Sequence, residues 1–310
     1  MNAPYDSSAP SPKVDRPTTS ITLEAPASGT LVLIGGACTP DGRALGAFVD
    51  AVREVKGPIV GITAASADPT GSARLWMADF ASIGVTDVHF PGVSRANEKK
   101  DREVAARIDQ AAGVFLGGGD QVKLVAEMSG THTCAAMKAL YRRGGVVCGT
   151  SAGAAALTTL TMAGGEIDEE GSLVEQYIGP GFGLLGFEAI IDTHFSQRRR
   201  LQRLFVVIGA NPQLLGLGID ENTALVVRGE VGEVVGAGGV TFVDGRDSVR
   251  FDNAADLEKG RQLTLSSLRV GIVGTHYELN LRERELDLVV RGEPSRHRRT
   301  PELPVGAGDR

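Results

Sequence analysis

Apolar residues in this chain follow two recurring patterns. Short strand-like runs lie at Thr30 to Ile34, Pro58 to Ala64, Asp87 to Phe90 and Gly113 to Leu116, and a β-branched run from Val146 leads into a glycine-flanked turn. Between them, Ala44 to Val55, Ser72 to Gly84, Asp101 to Ala112, Gln121 to Met128 and Thr133 to Arg143 have helical character. Strand–helix alternation with continuous apolar strands predicts a parallel sheet covered on both faces. In such sheets functional sites gather at the carboxyl ends of the strands. From about Thr223 the pattern changes to short β-type runs, Ala224 to Val227, Val240 to Val243 and Tyr277 to Leu281. The expected fold is therefore α/β: a three-layer α/β/α parallel sheet in one domain over 29–293, with a β-rich C-terminal extension from about 224 on the same core. Residues 1–28, rich in Pro, Ser and Thr, and 294–310, polar and without periodicity, are expected to be disordered tails. No internal repeat is evident.

The Val146 strand runs into Gly149-Thr150-Ser151-Ala152-Gly153, a G-x-S-x-G turn followed by an alanine-rich run of helical character. The glycines allow a tight strand-to-helix reversal that a Cβ would crowd. Small Ala152 lets its N–H point beside the Ser151 hydroxyl, and the helix that starts there would aim its positive end at the same spot. The plainer reading is a packed connection in which Ser151 only caps the helix.

A serine hydroxyl attacks well only when a base takes its proton. Of the five histidines, His89 sits in a short strand, His132 in a polar loop, and His276 and His297 come late. His194 differs. It ends the apolar strand Ile190 to Phe195, after Asp192 and before Arg198-Arg199-Arg200 and Arg203. A base needs an acid to orient it, and Asp220-Glu221 stands at another strand end. On spacing alone either carboxylate serves. If a helix starts near Ser196, then Leu201, Leu204, Phe205 and Ile208 form its apolar stripe. Arg199 and Arg203 would then face away from it, with Arg198 on its flank. That geometry fits a solvated basic face, or an anion site that exploits bidentate guanidinium groups.

Bulk numbers narrow the classes. Hydrophobic residues are 42% of 310 and charged residues 23%, ordinary for a globular protein. A net charge of −6 argues against a nucleic-acid binder that relies on global positive potential. No apolar run approaches a membrane span, and the N-terminus has no hydrophobic signal core. Cys38, Cys134 and Cys148 form neither an even set nor a metal-ligand spacing. They are read as reduced, partly buried thiols of a cytoplasmic protein. No metal or organic cofactor is implied.

Four stretches, LGGGDQ (116–121), GTSAGA (149–154), DTHFSQRRRLQRL (192–204) and GIDENTAL (218–225), stand in order at strand ends. Together they resemble the S51 family of serine peptidases, over roughly Leu31 to the late 220s and more loosely beyond. The resemblance implies a fold of the class I glutamine-amidotransferase type and a homodimer. It implies Ser151 as nucleophile, His194 as general base and Glu221 as the third member. Gly118 and Ala152 would give oxyanion N–H groups. Gln121, Asp192, Thr193, Arg198, Arg200 and Arg203 would hold substrate. Members cut cyanophycin, an aspartate backbone carrying arginine on each β-carboxyl, into β-aspartyl-arginine dipeptides. One departure stands out: relatives that act on cyanophycin usually read Asp-Gln-His-Phe at 192–195, where this chain has Thr193. A narrower isoaspartyl or other acidic-peptide hydrolase is the alternative that this departure suggests. From another class, the Gly35-Gly36 and Gly117-Gly118-Gly119 loops could cradle phosphate, although neither completes a nucleotide-binding pattern.

Overall fold

The structure is a computed structural model that describes residues 29–39, 42–164, 176–250, 264–275 and 277–285. Both expected tails, His276 and His297 lie outside the described residues. The first half alternates strand and helix: β1 (Thr30–Ile34), α1 (Arg43–Val55), β2 (Ile59–Ile62), α2 (Pro69–Ser82), β3 (Val88–His89), α3 (Glu98–Asp109), β4 (Gly113–Leu116), α4 (Gln121–Met128), α5 (His132–Arg142) and β5 (Val146–Thr150).

Helix starts follow their caps. The Asp68 carboxylate accepts from Gly71 N–H with Pro69 at the first helical position, so α2 begins three residues before the apolar periodicity does. Asn97 does the same for α3 by accepting from Lys100 N–H.

These strands pair in parallel in the order β1-β5-β4-β2-β3. Their side chains alternate between two cores, as a pleated strand requires. Leu31, Leu33, Val60, Ile62, Val114, Leu116 and Val147 face one core with residues of α3, α4 and α5. Val32, Ile34, Ile59, Phe115, Val146 and Cys148 face the other, with Phe48 of α1 and Phe80 of α2. There the Phe80 and Phe115 rings meet edge to face with centroids 5.3 Å apart. Three layers, helix–sheet–helix, follow directly from that alternation.

After β5 come α6 (Ala152–Ala155), the antiparallel pair β6 (Leu160–Gly164) and β7 (Gln176–Pro180), then β8 (Ala189–Thr193), α7 (Leu201–Ala210), β9 (Leu215–Ile219), β10 (Thr223–Arg228), β11 (Val231–Gly236), β12 (Val240–Asp244), β13 (Val249–Arg250), β14 (Leu265–Ser266), β15 (Arg269–Val273) and β16 (Glu278–Asn280). The small β13 and β14 pair with each other.

The sheet departs from the all-parallel expectation. β10 lies antiparallel beside β1, with Ile34 opposite Ala224, and β11 and β16 continue outward, giving a mixed sheet of eight strands among the described residues. The β-rich C-terminal part is thus largely an edge of the central sheet. β10 is buried over Thr223 to Val227, so its apolar run reads like a parallel strand and carries no sign of its direction.

A second sheet, β15-β12-β9-β8, contains β8 and β9 in parallel. Leu204, Val207 and Ile208 of α7 pack on Ile190 and Val243 of this sheet. Among the described residues no helix is long and apolar enough to cross a membrane.

Candidate active site

The two sheets meet at their carboxyl ends. Ser151 follows β5 of the large sheet, His194 follows β8 of the small one, and Asp220-Glu221-Asn222 carries the chain from β9 across to β10. Ser151 takes φ 53° and ψ −119°, a left-handed turn that non-glycine residues adopt only under constraint. Its N–H donates to the Ile34 carbonyl at 2.9 Å. A Cβ on Gly149 would press into the backbone of Gly153, and one on Gly153 into the carbonyl of Leu116. Both glycines of the pentapeptide therefore allow backbone to meet backbone, and the hydroxyl is left at the apex.

The Ser151 Oγ lies 2.9 Å from His194 Nε2, and His194 Nδ1 lies 2.7 Å from Glu221 Oε1. In the tautomer this geometry favours, Nδ1–H donates to the carboxylate and Nε2 accepts from the hydroxyl. The His194 side chain is 13% exposed and that of Glu221 34%. Asp220, equal to Glu221 on spacing alone, is committed elsewhere: its two oxygens accept from Ser196 N–H and Gly239 N–H.

Gly118 sits against the serine. A Cβ built on it would be 3.2 Å from Ser151 Cβ and 3.8 Å from Oγ. Ala152 begins α6, so its N–H is one of the first-turn donors that a helix leaves unsatisfied. The helix itself is a single turn. It ends at Ala155, and Thr158 Oγ1 then donates toward the carbonyls of Ala155 and Leu160 as the chain turns into β6. One turn aligns few peptide dipoles, so any anion preference rests on individual N–H groups rather than on a macrodipole.

Beside the serine lies a cavity of about 270 Å³ that Gln121, Asp192, Thr193, Arg198, Arg200 and Arg203 help to line. The six residues expected at substrate are thus gathered in one place. They are not equivalent. The Asp192 side chain is fully buried and accepts from Arg203 Nε at 2.6 Å, from Arg203 Nη2, and from Arg200 Nη1 at 3.3 Å. Arg203 also donates to the Gly164 carbonyl and Arg200 to the Thr193 carbonyl, each through Nη1. Gln121 Nε2 donates to the Met162 carbonyl.

The stripe expected for the arginine segment needs correcting. The helix starts at Leu201 rather than near Ser196, because residues 196–200 turn back through Arg198 N–H to His194 O and Arg200 N–H to Phe195 O. That rotation turns Leu201 outward at 40% exposure and buries Arg203 at 6%. Arg198 stays exposed on the cavity wall, without a salt bridge among the described residues.

Several contributions escaped the sequence. A Cβ on Gly36 would overlap the imidazole of His194, lying 2.9 Å from Nδ1 and nearer still to Cε1 and Nε2. A Cβ on Gly35 would strike the Asp220 carbonyl, and one on Gly119 the Ala65 carbonyl. These glycines make room for protein, which removes the reason to read their loops as a phosphate cradle. Asn222 holds the same region: its Oδ1 accepts from Thr39 N–H at 2.9 Å and its N–H donates to the Gly36 carbonyl. Burial pushes the Cys38 thiol up to about 11 and raises Cys134 and Cys148 as well, so none is poised as a nucleophile. Among the described residues no group of three or more His, Cys, Asp or Glu could hold a metal ion.

Comparison with known proteins places the chain among peptidases. The profile of peptidase family S51 matches residues 77–235. A cyanophycinase of Synechococcus elongatus is 34% identical over 229 residues, covering 73% of this chain and 70% of that protein. A cyanophycinase of Trichormus variabilis is 31% identical over 268 residues, covering 85% and 89%. Among solved structures, that of a peptidase from an acI-B1 Actinobacterium superposes with a TM-score of 0.56 at 20% identity, over 71% of this chain and 92% of the other. That likeness speaks to the fold.

Proposed function

The chain belongs to peptidase family S51, and from that premise we propose that it hydrolyses cyanophycin to β-aspartyl-arginine through an acyl-enzyme on Ser151. The observation that carries the reading is the unbroken relay from Ser151 Oγ through His194 to Glu221, at 2.9 and 2.7 Å. In this mechanism Ser151 Oγ attacks the scissile carbonyl while His194 Nε2 takes its proton. Glu221 holds Nδ1–H and offsets the charge on the imidazolium. The tetrahedral oxyanion lies between the N–H groups of Gly118 and Ala152. Collapse breaks the C–N bond, and the leaving amine takes the proton from His194. Water then attacks the ester with His194 as base, and the acid product departs with Ser151 restored.

The cavity suits a substrate of paired charges. Arg198, exposed and without a salt bridge among the described residues, is the cation available to an aspartyl carboxylate. Asp192, Arg200 and Arg203 shape the polar wall behind it, and Gln121 and Thr193 line its sides. The buried thiols fit a cytoplasmic protein, and assembly as a homodimer belongs to the same family-based reading.

A fluorophosphonate probe tests the mechanism without assuming a substrate. It is expected to modify Ser151 in the wild type, and to lose its target in Ser151→Ala together with all turnover. Modification at another residue, or an active alanine variant, overturns the mechanism.

A further inference from the structure

We propose that Asp220, the carboxylate beside the triad acid, is a positioning residue that fixes the backbone on which His194 stands. The inference rests on the reading of Ser151, His194 and Glu221 as a triad, and assigns the neighbouring acid a separate task in the same reaction. His194 sits at φ 51°, a left-handed conformation that is strained for a non-glycine residue and persists only where its surroundings impose it. Those surroundings are visible. His194 N–H donates to the Gly35 carbonyl at 2.7 Å, and Phe195 N–H to the Ile219 carbonyl at 3.2 Å. The Phe195 ring occupies the space left by the missing side chain of Gly218.

The next link is made by a side chain. Ser196 N–H donates to Asp220 Oδ1 at 3.0 Å, while Oδ2 accepts from Gly239 N–H at 3.1 Å. Asp220 N–H in turn donates to the Gly239 carbonyl at 3.2 Å. One carboxylate therefore ties the turn after β8 to the end of β9 and the start of β12. A Cβ on Gly238 would lie 2.7 Å from Asp220 Cβ and 2.9 Å from Oδ2, so the side chain is confined by the loop it binds. Charge-assisted bonds to two backbone amides are stronger than neutral ones.

Asp220 and Glu221 are adjacent, and they act on two sides of one histidine. Glu221 holds the ring and Asp220 holds the main chain beneath it. Without Asp220 the Ser196 amide is released, and the turn can relax from the strained φ at His194. The imidazole then moves relative to Ser151. A misplacement of about 1 Å can cost about 100-fold in rate.

The test measures the fluorophosphonate labelling rate of Ser151 in the full chain, with kcat and KM on cyanophycin and the unfolding midpoint from the same preparations. Asp220→Ala is expected to slow labelling and to lower kcat together, by about 10- to 100-fold, with KM unchanged. Asp220→Asn, which keeps one carbonyl oxygen for one of the two amides, is expected to fall between. A purely structural role predicts a lower unfolding midpoint with an unchanged labelling rate per folded molecule, and that result overturns the inference. Should the alanine variant not fold, the asparagine variant decides: slower labelling supports the inference and a wild-type rate overturns it. Because labelling uses no peptide, intact cyanophycin leaves this test standing. A wild type unlabelled at Ser151 overturns the triad reading and this inference with it.

Discussion

A Cβ at position 36 would overlap the imidazole of His194, and Gly36 itself has φ 104°. Gly36→Ala therefore meets strain in its own backbone and displaces the base. The expected result is a fall in kcat on the order of 100-fold with a folded protein, read by steady-state kinetics beside circular dichroism. The arginines divide in the same way. Arg203 is nearly buried and makes the shorter contacts to the Asp192 carboxylate, so Arg203→Ala leaves that buried anion with the longer Arg200 contact at 3.3 Å. It should lower stability by about 3–5 kcal/mol, seen as a reduced denaturant midpoint. Arg198→Ala removes an exposed cation of the cavity wall, and should raise KM with stability and kcat little changed. At this scale the pairing of Ser151 with His194 was legible because their types and settings are distinctive. The choice of Glu221 over Asp220 was not, since two adjacent carboxylates differ only in where a turn points them. Gly36 was equally opaque, because its partner is 158 residues away in the chain.

Helices were legible wherever the apolar spacing was long, and α4 starts at Gln121 as expected, but the first turns of α2 and α3 were not legible. The starts of α2 and α3 depend on Asp68 and Asn97, polar residues outside the periodic stripe. A less visible link joins two helices. Asp101 of α3 is buried, and accepts from His132 N–H at 2.7 Å, Thr133 N–H at 2.9 Å and Thr133 Oγ1 at 2.6 Å at the start of α5. Burial pushes its carboxyl up, but the Thr133 hydroxyl and the two amides outweigh that and hold it below the usual carboxylate value. A depressed folded value adds stability that is present above the unfolded value, about 4, and is lost as pH falls through the folded one. Asp101→Ala should cost about 1–3 kcal/mol at neutral pH. The gap from wild type in urea midpoint should narrow once the pH drops below about 4. A gap that stays constant across that window contradicts the assignment.

At the level of the whole molecule, the serine belongs to one sheet and the histidine to another. The short Asp220-Glu221-Asn222 turn, carrying the acid, connects them. The sequence reading placed each motif at a strand end, and that is where each stands. It did not anticipate two sheets, because an apolar run records burial and not its neighbour. β8 and β1 look alike in sequence, yet β8 pairs with β9 while β1 sits between β5 and β10. The antiparallel β10 was missed for the same reason. This architecture explains why glycines and turn residues gather where the sheets converge: the approach of His194 to Ser151 depends on close backbone contact across the seam.

The most direct measurement is incubation of the purified protein with insoluble cyanophycin, wild type beside Ser151→Ala, with mass analysis of the soluble products. The account predicts β-aspartyl-arginine from the wild type alone. Intact polymer with the wild type, or the same dipeptide released by Ser151→Ala, would contradict it.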